Sequence, residues 1–351
     1  MKVSVISFTK KGGALNERIC SGLKSCGMEA AGYTTPRNIK GTDLKEFAVL
    51  GELVEQLFGA VDGILFIGAC GIAVRAIAPF IKNKAVDPAV IVAGEDGKYV
   101  ISLLSGHIGG ANELCRQAAA IIGAVPVITT ATDLNNTFAV DTWAVENKLV
   151  ITELAMIKEI SGAVLNGEKV GFCSEYTVNG ALPCELEDRR ITNIGICISD
   201  KAQTTPFQKT LTLLPKNITL GIGCRKGTEP GVIMDFIKET FHRYELDVRR
   251  ISRICSINLK AEEEGILKAA KALQAEYITF PAEVLEKVPG EFAASDFVRQ
   301  TVGVDNVCER SAALGSSYGR KRIPKAACSG VTLSAYEMDF KVSFRHTGTK
   351  D

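Results

Sequence analysis

At 351 residues the chain exceeds what one ordinary hydrophobic core holds, so two or three domains are expected. Its 46% hydrophobic and 23% charged residues exclude a disordered chain. A formal net charge of +1 excludes a bulk field that would draw it onto nucleic acid or an anionic membrane, so any anion must be met by local Lys and Arg.

Met1 to Thr9 reads as a first strand rather than a signal peptide, with Lys10-Lys11-Gly12-Gly13 as its turn. Leu15, Ile19 and Leu23 follow at helical spacing. Gly63 to Ile67, Ala89 to Ala93 and Val125 to Thr129 are further short apolar runs, mostly separated by helix-like segments such as Leu114 to Ile122. This is the rhythm of an open, largely parallel α/β sheet. Tyr99 to Leu104 pairs with the preceding strand if Gly94-Glu95-Asp96-Gly97 forms a hairpin. The longest apolar run, Val61 to Val74, carries Asp62 and several glycines and is too short to span a bilayer.

Beyond Leu149 the rhythm changes to short strands, Lys169 to Cys173, Ile194 to Ser199 and Thr210 to Leu214, between polar segments. Asn217 to Gly223 then begins a second α/β unit. It continues through a helix entered at Pro230, a strand at Ile254 to Leu259, a helix at Ala261 to Leu273, and strands at Tyr277 to Phe280 and Gly330 to Tyr336. The expected fold is therefore two open, largely parallel α/β domains, 1–148 and 216–340, with a small mixed α+β middle domain at 149–215 and a tail at 341–351. The eleven cysteines show no CxxC pair and no Cys/His zinc spacing, so they read as reduced thiols in a cytoplasmic protein, with no bound metal.

The most informative stretch is Ser105-Gly106-His107-Ile108-Gly109-Gly110-Ala111-Asn112, a glycine-rich turn from a strand into a helix. Glycines admit a ligand close to the backbone, and helix-start N–H groups favour negative charge, including the oxyanion of an attacked ester. His107 is one of only three histidines, and an imidazole suits proton transfer near neutrality. Ser105 reads either as a nucleophile or as a hydrogen-bond donor. The plain structural alternative is a turn in which His107 caps the helix.

Gly68 to Arg75 is a second strand-to-helix glycine turn, with Lys82, Lys84 and Asp87 beyond it, and Thr129-Thr130-Ala131-Thr132-Asp133 ends another strand. In an open α/β sheet ligands collect at the carboxyl ends of strands, so three such loops point to one ligand-binding edge. In the second α/β unit, Gly221 to Gly227 places Arg225 and Lys226 after a strand. It is no Walker loop, because the Lys-Ser/Thr ending is missing. Lys260, Glu262 and Glu263 open the next helix, where the acids also suit the helix dipole. Glu309 lies in a helix-like segment, and Gly319 to Lys325, with four cations, reads as a solvated loop.

Together these segments resemble the CbiG family, the cobalt-precorrin 5A hydrolases of the anaerobic cobalamin pathway. The likeness rests on Gly71-Ile72-Ala73-Val74-Arg75, Asp87-Pro88-Ala89-Val90, Leu103 to Asn112 and Thr129 to Asp133, in that order. Further on it rests on Gly221 to Arg225, Ser256-Ile257 with Lys260 and Glu263, Val302-Gly303-Val304, Glu309 with Ala312-Ala313-Leu314, and Lys325 before Val331-Thr332. Glu264 departs from a frequent proline, and the segment past Asp339 has no counterpart in the pattern.

The resemblance implies a cobalt-containing tetrapyrrole substrate bearing many carboxylate arms, one of them tied up as a lactone. Water opens the lactone and a two-carbon fragment leaves as acetaldehyde. No nucleotide, redox cofactor or protein-bound metal is implied, since the cobalt enters with the substrate. Neighbouring pathway enzymes are the only macromolecular partners it suggests, with no nucleic acid and no membrane. On residue chemistry, His107 is read as general base and the N–H groups near Gly109 and Gly110 as oxyanion donors. Arg75, Arg225 and Lys260 are read as carboxylate clamps, with Asn112, Thr129, Thr130, Lys226, Glu309 and Lys325 as further substrate contacts. Glu263 or Asp133 is read as handling the later proton transfer. A non-catalytic corrinoid carrier would use the same cations without His107. A dinucleotide-dependent enzyme would need a GxGxxG turn and a following acid, which are missing.

Overall fold

The computed structural model describes residues 1–83, 86–130, 137–188 and 192–344. Lys84, Ala131, Thr132 and Asp133, all part of the segments singled out above, lie outside them. The chain forms two compact units, Met1–Thr142 and Trp143–Asp351.

The first unit is a seven-stranded sheet in the order β3-β2-β1-β4-β5-β6-β7. Its elements in chain order are β1 (Lys2–Ser7), α1 (Lys10–Ser25), β2 (Glu29–Thr34), β3 (Lys45–Glu46), α2 (Leu50–Phe58), β4 (Gly63–Ile67) and α3 (Cys70–Ile77). Then follow β5 (Ala89–Ala93), β6 (Tyr99–Leu104), α4 (Ala111–Ile122), β7 (Val125–Val127) and α5 (Val140–Glu146), the last running across the unit boundary. Central strands β4 and β5 are apolar throughout because both faces are covered. Val3, Val5, Leu65 and Ile91 meet Ile19 and Leu23 of α1 and Leu114 and Ala118 of α4. The alternate residues Ile6, Ile64, Phe66, Val90 and Val92 meet Leu53 and Val54 of α2 and Ile77 of α3. Each such buried side chain contributes about 1.5–3 kcal/mol.

Lys10 to Gly13 is not the turn that its glycines imply. It is the first turn of α1, capped by the Thr9 hydroxyl, which accepts from the Gly12 N–H at 3.0 Å. The glycines instead let α1 approach the sheet, since a Cβ at Gly12 would lie 3.3–3.4 Å from Thr9, Ser7 and Ile67.

Strands β1 to β5 are all parallel to one another. The Gly94–Gly97 hairpin, closed by Gly97 N–H on Gly94 O at 2.9 Å, reverses the chain so that β6 runs antiparallel to β5. β7 then runs parallel to β6.

The second unit holds a middle sheet ordered β11-β9-β12-β13-β8, formed by β8 (Leu149–Ile151), β9 (Val170–Ser174), β11 (Leu186–Glu187), β12 (Ile194–Ile198) and β13 (Lys209–Pro215). Only β8 is antiparallel, and α6 (Leu154–Leu165) packs against β13 and β9. β10 (Thr177–Asn179) pairs with β19 (Lys341–Ser343), so the expected tail begins as a strand. Trp143 anchors that strand: its ring stacks on Phe344 with centroids 4.6 Å apart, and its Nε1–H donates to Ser343 O at 2.8 Å. Asn147 holds Ser343 from both sides, accepting from its N–H at 2.7 Å and donating to its carbonyl at 3.1 Å.

The C-terminal sheet is ordered β16-β15-β14-β18-β17. It is built from β14 (Ile218–Cys224), α7 (Pro230–Arg243), β15 (Ile251–Ile257), α8 (Glu264–Ala272), β16 (Glu276–Phe280), α9 (Ala282–Glu286), α10 (Asp296–Val302), α11 (Val307–Gly315), β17 (Arg320–Cys328) and β18 (Val331–Glu337). One half is parallel and the β17–β18 half antiparallel. α7 and α8 cover one face through Ile233, Phe236, Ile237 and Ile266. α11 lies against β14 so closely that a Cβ at Gly221 would stand 1.8 Å from Cys308 O.

Two expectations change here. Ala261 does not begin a helix: Asn258–Lys260 is a 3-10 turn and α8 starts at Glu264. Gly319 to Lys325 is not a loop but opens β17, an edge strand whose register shifts around Ile323. Edge strands carry cations, proline and bulges because these block further pairing, and Arg320, Lys321, Arg322 and Pro324 fit that need.

A buried arginine ties the middle and C-terminal sheets together. Arg250, fully buried, donates through Nη2 to Asn217 Oδ1 at 2.9 Å, Tyr176 OH at 3.1 Å and Glu337 Oε1 at 2.5 Å. Its Nη1 faces Asp200 at 3.7 Å, and Arg322 joins Glu337 to Asp200. Burial works against the Glu337 carboxylate, but hydrogen bonds and charge from Arg322 and Arg250 outweigh it and hold its pKa below the ordinary value.

Candidate active site

The six residues between β6 and α4 form a tight turn that folds on itself. Ser105 takes a left-handed conformation at φ 58°, rare outside glycine, and Gly110 another at 81°. Ser105 O and Gly106 O accept from the Ala111 and Asn112 N–H groups at 3.1 and 2.9 Å, and Gly110 N–H donates to His107 O at 2.9 Å. The start of α4 is thus capped by the turn's own carbonyls. Of the two glycine N–H groups expected to meet an oxyanion, that of Gly110 is committed. That of Gly109 has no partner among the described residues. No side chain fits at Gly109, where a Cβ would stand 2.4 Å from Ser105 Cβ and 2.9 Å from Ser105 O.

His107 does not cap α4 with its ring. Its Nδ1 lies 3.2 Å from Oδ2 of Asp141 on α5, with the two side chains 16% and 7% exposed. An ionised carboxylate only accepts hydrogen bonds, so Nδ1 carries the proton in this contact. A neutral ring with Nδ1 protonated carries its lone pair on Nε2. The other Asp141 oxygen, Oδ1, accepts from the Thr142 N–H at 3.0 Å. The Ser105 hydroxyl is buried and has no hydrogen-bond partner among the described residues, so the structure shows no Ser105–His107 bond of the kind an activated nucleophile makes.

Asn112 and Thr130 meet at this end of the sheet. Asn112 is buried, accepts from Ser102 Oγ at 2.7 Å and donates to Thr130 Oγ1 at 2.9 Å, which fixes the loop after β7 onto α4. Thr129 beside it is exposed. Asp87, also buried, accepts from the Lys82 N–H at 3.0 and 3.1 Å and so closes its own loop.

Arg75 does not join this group. Because β6 and β7 run opposite to β4, their carboxyl ends lie on the other edge of the sheet from the loop after β4. A five-residue strand separates the two edges by about 15 Å at ~3.3 Å per residue. Arg75 is exposed, folded back over Gly71, and borders a depression of about 350 Å3 lined by Leu50, Ile72, Ala76, Pro79 and Phe80. The sequence pattern of three loops on one edge is therefore corrected to two on one edge and one on the other.

In the second unit, parallel β14 and β15 bring their following loops together. Arg225 and Lys226 are exposed, and the Arg225 side chain lies along Gly330 of the β17–β18 turn. Glu263 joins the loops: one oxygen accepts from Gly227 N–H at 2.8 Å, the other from Lys260 Nζ at 2.7 Å. Burial disfavours its charge, but these bonds prevail and hold its pKa below the ordinary value. Glu263 is thus a brace of the cationic loop, a poor fit to the proton-transfer role read from sequence. Glu309 is braced harder, at 2% exposure. It accepts from Ala293 N–H, Asn306 Nδ2, Lys321 Nζ and Lys325 N–H at 2.9, 2.7, 3.0 and 3.3 Å. Lys325 Nζ donates to Ala293 O at 3.3 Å and has two further protons to give, whereas the Glu309 carboxylate is taken up within the fold.

Asp141 is the residue sequence reasoning missed. It lies 34 positions after His107, in no local motif, and its one sequence signal is an acid at a helix start before Trp143.

Residues 52–133 match the family described as "Cobalamin synthesis G N-terminal", residues 138–215 "Cobalamin biosynthesis central region", and residues 218–336 "Cobalamin synthesis G C-terminus". The cobalt-precorrin-5A hydrolase of Salmonella typhimurium is 35% identical over 72% of this chain and 75% of its own length. That of Priestia megaterium is 30% identical over 80% of each chain. CobE, a solved protein of the cobalamin biosynthetic pathway, is a looser likeness, with a TM-score of 0.33, 20% identity, and coverage of 35% of this chain and 90% of its own.

Proposed function

The chain belongs to the CbiG family, and from that premise we propose that it is a cytoplasmic cobalt-precorrin-5A hydrolase which opens the substrate's lactone and releases acetaldehyde. The observation that carries the chemistry is the partly buried His107 with Nδ1 on the Asp141 carboxylate. Nε2 takes a proton from water as its oxygen attacks the lactone carbonyl. The Gly109 N–H meets the oxyanion that forms, and the tetrahedral intermediate collapses as His107 returns the proton to the departing alkoxide. The products of this half are a carboxylate and a free hydroxyl. When that hydroxyl is deprotonated, its carbon leaves as acetaldehyde and the bonding electrons return to the macrocycle.

Arg225, Lys226 and Lys260 bind carboxylate arms of the substrate in this reading. Their loops are preset by Glu263, so little ordering remains to be done on binding. No helix among the described residues is long and apolar enough to cross a membrane.

The test is anaerobic incubation with cobalt-precorrin 5A, without added nucleotide or metal, following acetaldehyde and product mass together. One acetaldehyde per lactone opened is expected. Tight binding with no acetaldehyde would make the protein a carrier, and an absolute need for a nicotinamide would remove both readings.

A further inference from the structure

We infer that Asp141 is the positioning residue for His107, setting which ring nitrogen faces the reacting water. The inference rests on the base role proposed for His107 and adds the group that makes that role possible.

Three observations converge. Asp141 is 5% exposed, and its carboxylate is oriented from both sides, by Thr142 N–H on Oδ1 and His107 Nδ1 on Oδ2. It stands in the first turn of α5, where the helix dipole favours a negative charge. His107 is held at its backbone by the Gly110 N–H, so the ring pivots on a fixed turn. An imidazole in water exchanges its proton between the two nitrogens. A carboxylate on Nδ1 selects the tautomer with Nε2 unprotonated, and it stabilises the imidazolium formed when Nε2 takes the water's proton. The buried setting strengthens this, because little water screens a contact at 3.2 Å.

Asp141→Asn separates this from a structural role. The amide can donate to Nδ1, which moves the ring proton to Nε2 and leaves no base. The expected result is a fall in kcat of between about ten- and ten-thousandfold, with KM and melting temperature near the parent. Asp141→Glu should recover part of kcat. Nitrogen-15 NMR of the parent should show His107 protonated on Nδ1 when neutral, and the Asn variant should show the other tautomer. This spectrum needs no substrate and holds even if a variant folds poorly. A parent protonated on Nε2, or an Asn variant with parental kcat, overturns the inference. Failure of the base role itself reads differently: His107→Ala would then turn over like the parent.

Discussion

Two glycine-rich turns of this chain, each leading out of a strand, look alike in sequence and are put together in opposite ways. At the turn after β6, hydrogen-bonding capacity is left over: the Gly109 N–H and the Ser105 hydroxyl have no partners among the described residues. At the loops after β14 and β15, both oxygens of Glu263 are taken, and what faces solvent is the charge of Arg225 and Lys226. Unmet polar groups held rigidly suit a transient charge in a transition state, whereas exposed cations on a braced loop suit charges the substrate already carries. The first turn is accordingly read as chemistry and the second as holding.

The largest expected effect comes from His107→Ala. Its rate should fall on the order of a hundred- to ten-thousandfold with substrate affinity nearly intact, while Glu263→Gln should weaken binding and leave the chemical step. If both variants lose the same step, the contrast disappears. Next is Glu337→Gln, which strands the buried Arg250. Its cost in chemical denaturation should be about 3–5 kcal/mol, with the acetaldehyde-forming step of the folded fraction unchanged. Arg225→Ala should weaken binding about ten- to a hundredfold at constant kcat, corresponding to ~1.5–3 kcal/mol for a charged hydrogen bond. The effect should shrink as salt is added. Arg75→Ala should do less, and an equal loss would mean that the two sheet edges of the first unit act on one ligand.

Ser105→Ala is a smaller change still. A buried unpaired hydroxyl costs about 1–3 kcal/mol, so the variant should be as stable as the parent or more so, with turnover within a few-fold. A dead variant, with an acyl-enzyme on the parent by mass spectrometry, would make Ser105 the nucleophile. The gentlest probe is acid. Glu263, Glu309 and Glu337 have folded pKa values below their ordinary 4.5. Their ion pairs therefore contribute fully above that value, and the contribution is lost as pH falls through the depressed folded values. Thermal melts should accordingly show the second unit destabilised as pH drops below 4.5, and Glu337→Gln should flatten that dependence.

The strands were legible because a strand buried on both faces must be a run of apolar residues, as Gly63–Ile67 and Ala89–Ala93 are. The His107 turn was legible because glycine stands where the backbone bends left-handed, at Gly110, and where no side chain fits, at Gly109. What escaped depends on tertiary placement. The Gly94–Gly97 hairpin could be read, but its effect on the carboxyl ends of β6 and β7 emerges only from the sheet order. The pairing of His107 with Asp141 needs α5 in place. Edge strand β17 has charge and proline where an inner strand would have valine, so it imitates a loop. Lys341–Ser343 is too short and too polar to announce a strand, and it is one only because Trp143 and Asn147 receive it.

That last contact makes the protein its own indicator. Trp143 is the only tryptophan in the chain, and it stacks nearly parallel on Phe344, its indole N–H donating to Ser343. Emission excited at the red edge of the spectrum therefore comes from one spot. Undocking the C-terminal strand would wet the indole and shift its emission to longer wavelength. The opening of that seam can be timed by light alone, with no label attached and no residue changed.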